Sequence, residues 1–205
     1  MNIGDGVSAR YYNPGDKVPA NYQLLLTFKD ESFLVFTVAM YGFISAYPDA
    51  VIDNKYYTIS RESISPLSDA YTEAEFEKLF AFAKKTLTAK ALLATEQRIP
   101  GVGNGVTQDI LFNAGIHPKQ KVFDLSDGQK GVLFKSLKDT LMAMTSGRGR
   151  DTQTDLYGNE GGYKTILSSK TWKNPCPRCG SVIVKEAYLG GSVYYCSECQ
   201  KIRKT

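Results

Sequence analysis

A chain of 205 residues that is 42% hydrophobic and 12% aromatic can bury a real core, which excludes a disordered protein and leaves room for one domain or two small ones. It has no run of about eighteen apolar residues and no basic stretch followed by an apolar one at its start, so neither a membrane span nor a secretory signal is readable and a cytoplasmic protein is expected. The net charge of +4 is uneven: residues 1–87 hold 8 Lys/Arg against 11 Asp/Glu, whereas residues 88–205 hold 17 against 10. A basic C-terminal part suits a polyanion partner, although solvated lysines on helix faces give the same excess.

In chain order, Val7 to Tyr12, Tyr22 to Phe28, Phe33 to Val38 and Ile44 to Tyr47 read as strands, rich in β-branched and aromatic residues. Asn13-Pro14-Gly15-Asp16 and Lys29-Asp30-Glu31-Ser32 are turn signals between them, and the pattern predicts an antiparallel meander. Residues 48–70, with Pro48 and Pro66, read as a linker. Thr72 and Glu75 then form a capping box for a helix running to about Lys85, with Phe76, Leu79, Phe80 and Phe82 as a core stripe. Thr88 is placed to cap the next helix.

Lys90 to Pro118 organises the rest. Lys90 to Arg98 is rich in helix formers, and Val106, Ile110, Leu111 and Ala114 recur at helical spacing. Between them Ile99-Pro100-Gly101-Val102-Gly103-Asn104-Gly105 must turn sharply, because proline ends the first helix and the glycines permit positive φ. Asn104 is expected to cap the second helix. The first amides of that helix, around Gly103, Asn104 and Gly105, are an anion site on which a phosphate can rest. An ordinary buried helical hairpin, or a helix–hairpin–helix, is the competing reading. Asn113-Ala114-Gly115, followed by Pro118, supplies the stop.

Ser126 to Thr145 predicts a further amphipathic helix through Val132, Leu133, Leu137 and Leu141. Residues 146–162 are a polar loop whose Arg148 and Arg150 meet phosphate or solvent. The four cysteines form two pairs, Cys176-Pro177-Arg178-Cys179 and Cys196-Ser197-Glu198-Cys199, with 16 residues between them. Two such knuckles complete a closed tetrahedral Cys₄ zinc site, one structural ion with no open position; two disulfides are the alternative. Val182 to Tyr188 and Ser192 to Tyr195, joined by Leu189-Gly190-Gly191, predict a β-hairpin clamped by the metal, with Lys185, Lys201 and Arg203 as candidate phosphate contacts.

Gln97-Arg98, Gly101-Val102-Gly103-Asn104, Leu111-Phe112, Ala114-Gly115-Ile116-His117-Pro118 and the Cys-x-x-Cys-Gln ending together resemble the formamidopyrimidine-DNA glycosylase and endonuclease VIII family, over nearly the whole chain. The resemblance implies an α+β fold: a partial antiparallel β-sandwich remnant with its linker at 1–66, a helix–two-turn–helix DNA-binding domain at 67–168, and a zinc-bound hairpin at 169–205. It implies double-stranded damaged or abasic DNA as partner, no membrane, action at the nucleoid, and a monomer or a chain working with a separately encoded N-terminal half. By the same resemblance Lys90 joins the DNA-binding set, and Met40 and Tyr41 fall where family members wedge into the DNA stack; core residues at a strand end are the plainer reading of that pair. The finger's usual tip arginine falls on Gly191. The family's catalytic proline and glutamate have no counterpart, since Met1 is followed by Asn2 and Ile3. Two expectations follow: a repair glycosylase and abasic-site lyase lineage represented by a chain without its catalytic end, or a finished non-catalytic DNA-binding module.

Overall fold

The computed structural model describes residues 2–203 except Asp5, 40–41, 48–51, Asp53 and Phe82. Short β1 (Asn2–Ile3) pairs with β5 (Ile44–Ser45), while β2 (Val7–Tyr12), β3 (Leu24–Thr27) and β4 (Phe33–Val38) form an antiparallel sheet in the order β2-β4-β3. The expected meander is therefore corrected: β3 and β4 are a hairpin, but β2 returns along the far side of β4, with Val7 opposite Val38 and Tyr12 opposite Phe33. Composition explains the choice. Phe33, Val35 and Phe36 are buried on both faces of β4, so β4 takes the centre. The outer edge of β2 is partly covered by the later polar loop, through a Tyr11 N–H to Leu156 carbonyl bond and a Tyr11–Tyr157 ring contact.

Residues expected as linker contain α1 (Lys55–Glu62), capped by the Asn54 side chain. It buries no residue, so it left no apolar stripe to read. Helix α2 (Glu73–Ala81) starts beside Thr72, whose hydroxyl accepts the Glu75 N–H, and ends short of Lys85. Thr88 caps α3 (Ala89–Ala94), which stops well before Arg98. The Thr95 hydroxyl and the Arg98 guanidinium both donate to the Ala91 carbonyl, and Glu96 and Gln97 turn away with φ of 58° and 48°. Helix α4 (Asn104–Ala114) ends on Gly115 in the left-handed region at φ 66°. A capping box of Ser126 and Gln129 opens α5 (Asp127–Ser146). The C-terminal hairpin is β6 (Ile183–Tyr188) and β7 (Gly191–Cys196).

Helix α4 is buried on two sides. One stripe, with Ile110 and Leu111, enters a core with Phe76, Leu92, Leu93, Ile99, Leu133 and Leu137. The other places Phe112 in a second core with Leu167, Cys176, Ile183, Tyr194 and Cys196. Asp109 stands between the two at 0% exposure, accepting the backbone N–H groups of Ile166 and Leu167 at 2.9 and 2.8 Å. Burial pushes its carboxyl pKa up, while those amides, the Tyr163 hydroxyl and the Arg150 charge pull it back. Asp109→Ala leaves two buried amides unpaired and should lower the unfolding free energy by about 3 kcal/mol in urea titration; a loss near zero would show that the 166–167 segment does not depend on this carboxylate.

Candidate nucleic-acid interface and metal centre

The glycine turn before α4 has the shape its sequence requires, with Gly101 at φ 80°. The expected cap is corrected. Gly103, extended at φ −98° and ψ −177°, is the capping residue, and no side chain caps the helix. Asn104 is already helical, so its amide points away from the amides of its own first turn and donates instead to the Ser192 carbonyl of the hairpin at 3.2 Å. The amides of Asn104, Gly105 and Val106 thus head the helix with no side-chain acceptor. Arg150 lies over this start: a Cβ built on Gly105 would fall 2.1 Å from an Arg150 Nη. A cleft of about 460 Å³ opens here, lined by Gln97, Gly101, Gly103, Asn104, Gly105 and Arg150 among others. Amides and a guanidinium facing one cleft favour an anion.

Asn104, Gln108 and Phe112 recur every four residues and form the face of α4 that meets the hairpin. Gln108 donates to the Ser192 carbonyl at 3.0 Å and accepts the Tyr194 N–H at 3.2 Å. Gln200 bridges the Cys196 N–H and the Ile116 carbonyl, and Gln120 exchanges two bonds with the Arg203 backbone. Lys90 is the second correction. It is 2% exposed rather than presented to a phosphate, and its ammonium donates to the Tyr188 carbonyl and sits over the Tyr188 ring. Desolvation lowers its pKa. Sequence reasoning missed these buried amide staples, although Gln108 and Asp109 interrupt an apolar helical pattern and were a usable signal.

The four cysteine sulfurs all lie within 4.8 Å of one another. Cys176 and Cys199 are 3.8 Å apart and Cys179 and Cys196 3.4 Å, whereas a disulfide needs about 2.0 Å, so the cysteines are free thiols and the disulfide alternative is set aside. Tetrahedral thiolates around zinc stand about 3.8 Å apart, which this cluster fits. Each knuckle is held by its own backbone: Gly180 N–H returns to the Cys176 carbonyl and Gln200 N–H to that of Cys196. The Ser181 hydroxyl and backbone amide lower the Cys179 thiol to a pKa of about 6, while burial pushes the Cys196 and Cys199 thiols up.

No family model matches the chain. Sequence relatives do. A formamidopyrimidine-DNA glycosylase of Carboxydothermus hydrogenoformans is 31% identical over 139 residues, covering 66% of this chain and 52% of the relative. One of Prochlorococcus marinus is 32% identical over 148 residues, 70% of this chain and 51% of the relative. The chain thus spans about half the length of these relatives. Among solved structures, the Lactococcus lactis Fpg in complex with DNA containing an abasic site superposes with a TM-score of 0.75 at 23% identity, over 96% of this chain and 72% of that one, which establishes a shared fold. The chain belongs to the formamidopyrimidine-DNA glycosylase and endonuclease VIII family.

Of the remaining residues nominated by likeness to this family, Arg148 is exposed at φ 55° and lines a cleft of about 570 Å³ with Val7, Ser8 and Ala9 of β2. Lys185 is exposed on β6, 5.1 Å above the Trp172 ring. Lys201 pairs with Glu198. Met40 and Tyr41, and Phe82 of the expected core stripe, lie outside the described residues.

His117, at the end of the family's helical signature, is buried with its ring edge-on to that of Tyr195, the centroids 4.3 Å apart, and its Nδ1 accepts the Lys119 N–H. Burial lowers its pKa against the opposing charge of Glu186, with Lys119 adding to the depression. A base that is harder to protonate folded than unfolded gives stability that is intact above the unfolded value of about 6.5 and lost as pH falls from there toward the folded value. Between pH 7 and 5.5 the melting temperature of the wild type should therefore fall faster than that of His117→Gln; parallel curves would place the acid sensitivity elsewhere.

Proposed function

We propose that this chain binds duplex DNA bearing an abasic site or damaged base, as part of base-excision repair. The observation that carries the reading is the uncapped start of α4, set in a glycine-lined cleft with the Arg150 guanidinium against Gly105. Backbone amides and one guanidinium recognise a phosphodiester by charge and geometry, without reading sequence. Support comes from the relatives, named for formamidopyrimidine-DNA excision, and from the Lactococcus lactis Fpg complex with abasic-site DNA. The cleft between β2 and the loop through Arg148, Thr152, Thr154 and Gly161 is of a size to receive an everted base.

In this reading the cysteine cluster holds one zinc ion, which when bound supplies a closed tetrahedral centre with no catalytic position. Cys176, Cys179, Cys196 and Cys199 would be its ligands, and the hairpin they clamp carries the Ser192 carbonyl that positions Asn104. Elemental analysis of protein purified without chelator should find one zinc per chain. Cys176→Ser should lose it and loosen β6–β7 while the helical core stays folded; protein that folds fully and carries no metal would overturn the assignment.

Base excision of the kind the relatives are named for needs an amine nucleophile beside a proton-transfer group. Among the described residues the buried lysine is Lys90, and its ammonium is engaged by the Tyr188 carbonyl under the hairpin. The described residues are therefore read as a binding platform rather than a cutting centre. Titration of undamaged and abasic duplexes tests both halves. Affinity should fall steeply with salt, and Asn104→Ala and Arg150→Ala should each weaken binding by about 1–2 kcal/mol on both duplexes. Arg150→Ala should also reduce the salt slope by about one. Borohydride added to the same samples should trap only a trace of covalent complex. Salt-independent affinity would remove the phosphate site, and efficient trapping would remove the claim of binding without cutting.

A further inference from the structure

Strands β6 and β7 are joined by Leu189 and Gly190, with φ of 51° and 73°. Two positive values in a two-residue hairpin loop belong to a type I′ turn, whose first central position is normally Asn, Asp or Gly. Leucine enters the left-handed region at a steric cost and has no side-chain polar group to offset it. Burial does not offset it either, because Leu189 is 50% exposed. A bulky apolar side chain is thus held in a disfavoured backbone and left in water, at the tip of a hairpin that a polar residue would close more easily.

The base of this turn is rigid. The Tyr188 carbonyl accepts from Lys90, and the Tyr188 hydroxyl donates to Thr88 at 3.0 Å. Across the turn, the Ser192 carbonyl accepts from both Asn104 and Gln108. A Cβ on Gly191 would sit 3.2 Å from the Asn104 amide, so the hairpin lies directly against the start of α4. On its other side Leu189 borders a groove of about 570 Å³ lined by Lys78, Lys84, Leu87 and an Arg98 paired with Glu96. The leucine therefore sits half exposed on a fixed platform, between the start of α4 and a groove that carries lysines beside Leu79, Ala83 and Leu87.

We propose that Leu189 is an apolar wedge that enters the base stack beside the lesion of a bound duplex, a role that rests on the DNA-binding reading above. Apolar side chains part base steps when neighbouring groups hold the backbone on either side, and an abasic or damaged step is the least costly to open. The Gly191 position, bare of any side chain, leaves the tip contact to the leucine two residues earlier. Recognition at the finger then depends on how readily a step opens.

The test uses the full chain, zinc-loaded, and a duplex containing a tetrahydrofuran abasic analogue flanked by 2-aminopurine. Wild type should raise the 2-aminopurine emission on saturation and bind this duplex more tightly than its undamaged counterpart. Leu189→Gly relieves the positive-φ strain, so zinc content and melting temperature should be unchanged or higher. Its emission rise should largely vanish, with affinity for the abasic duplex about tenfold weaker and for undamaged duplex within about twofold. Leu189→Asn should behave like the glycine variant and Leu189→Met should restore the signal. A glycine variant that binds the abasic duplex as tightly as wild type, with the same emission, overturns the wedge while leaving DNA binding intact. Wild type that binds neither duplex removes the underlying reading and the wedge with it.

Discussion

Helix α4 is buried between two cores that share no other helix, and the polar side chains along it decide how the two are joined. Its Leu111 side is held by ordinary apolar packing. Its other side meets the hairpin and the 165–168 segment through Asn104, Gln108 and Asp109 as well as through Phe112. Apolar contact is tolerant of sliding, because dispersion has no direction. Hydrogen bonds between buried groups are not, since each bond lost leaves a donor or acceptor without water to replace it. The seam therefore fixes one register of finger against helix.

That register is what gives the start of α4 its chemistry. Were Asn104 to cap its own helix, its oxygen would occupy the amides and lower their appetite for an anion. By donating to Ser192 it leaves them open and also locates the hairpin tip relative to them. Gly105 contributes by having no side chain, so Arg150 can lie against the backbone where any larger residue would hold it off. The four-cysteine cluster lies at the far end of the same hairpin. A two-stranded hairpin alone is marginal in water, and this one is closed at one end by four thiols and at the other by Lys90, Thr88 and Asn104.

Much of this was legible in the residues. Strands β2 and β4, the C-terminal end of α4 and the two cysteine knuckles follow from local rules that act within a few residues: alternation, a left-handed glycine, Cys-x-x-Cys. What the residues hid depends on contacts between distant parts. The position of β2 beside β4 is set by which strand is most apolar, not by chain order. Helix α3 stops early at Thr95, where Glu96 and Gln97 take positive φ and the Arg98 guanidinium returns to the Ala91 and Thr95 carbonyls, an arrangement seen only once the chain has turned back. Lys90 looked like a surface cation on a helix, and only the hairpin folding over it makes it a buried one. Helix α1 had the Asn54 cap but no apolar stripe, so its polar composition concealed it.

Lys90 also shows how the two halves of the functional reading constrain each other. A buried ammonium is costly unless it is paired, and its recorded hydrogen bond is to a single backbone carbonyl supplied by the hairpin. If the hairpin parted, the ammonium would return to water and the Tyr188 carbonyl would lose its donor, so this bond ties the hairpin to α3 through the same lysine that likeness to the family would have assigned to DNA. On the proposed reading, phosphate affinity would come from the amides heading α4 and from the Arg150 guanidinium beside Gly105. Under that proposal, fixed amides cannot adjust to the ligand, so a duplex would have to present its phosphate where they point, and one that bends readily at a damaged step would do so at lower cost than an intact one.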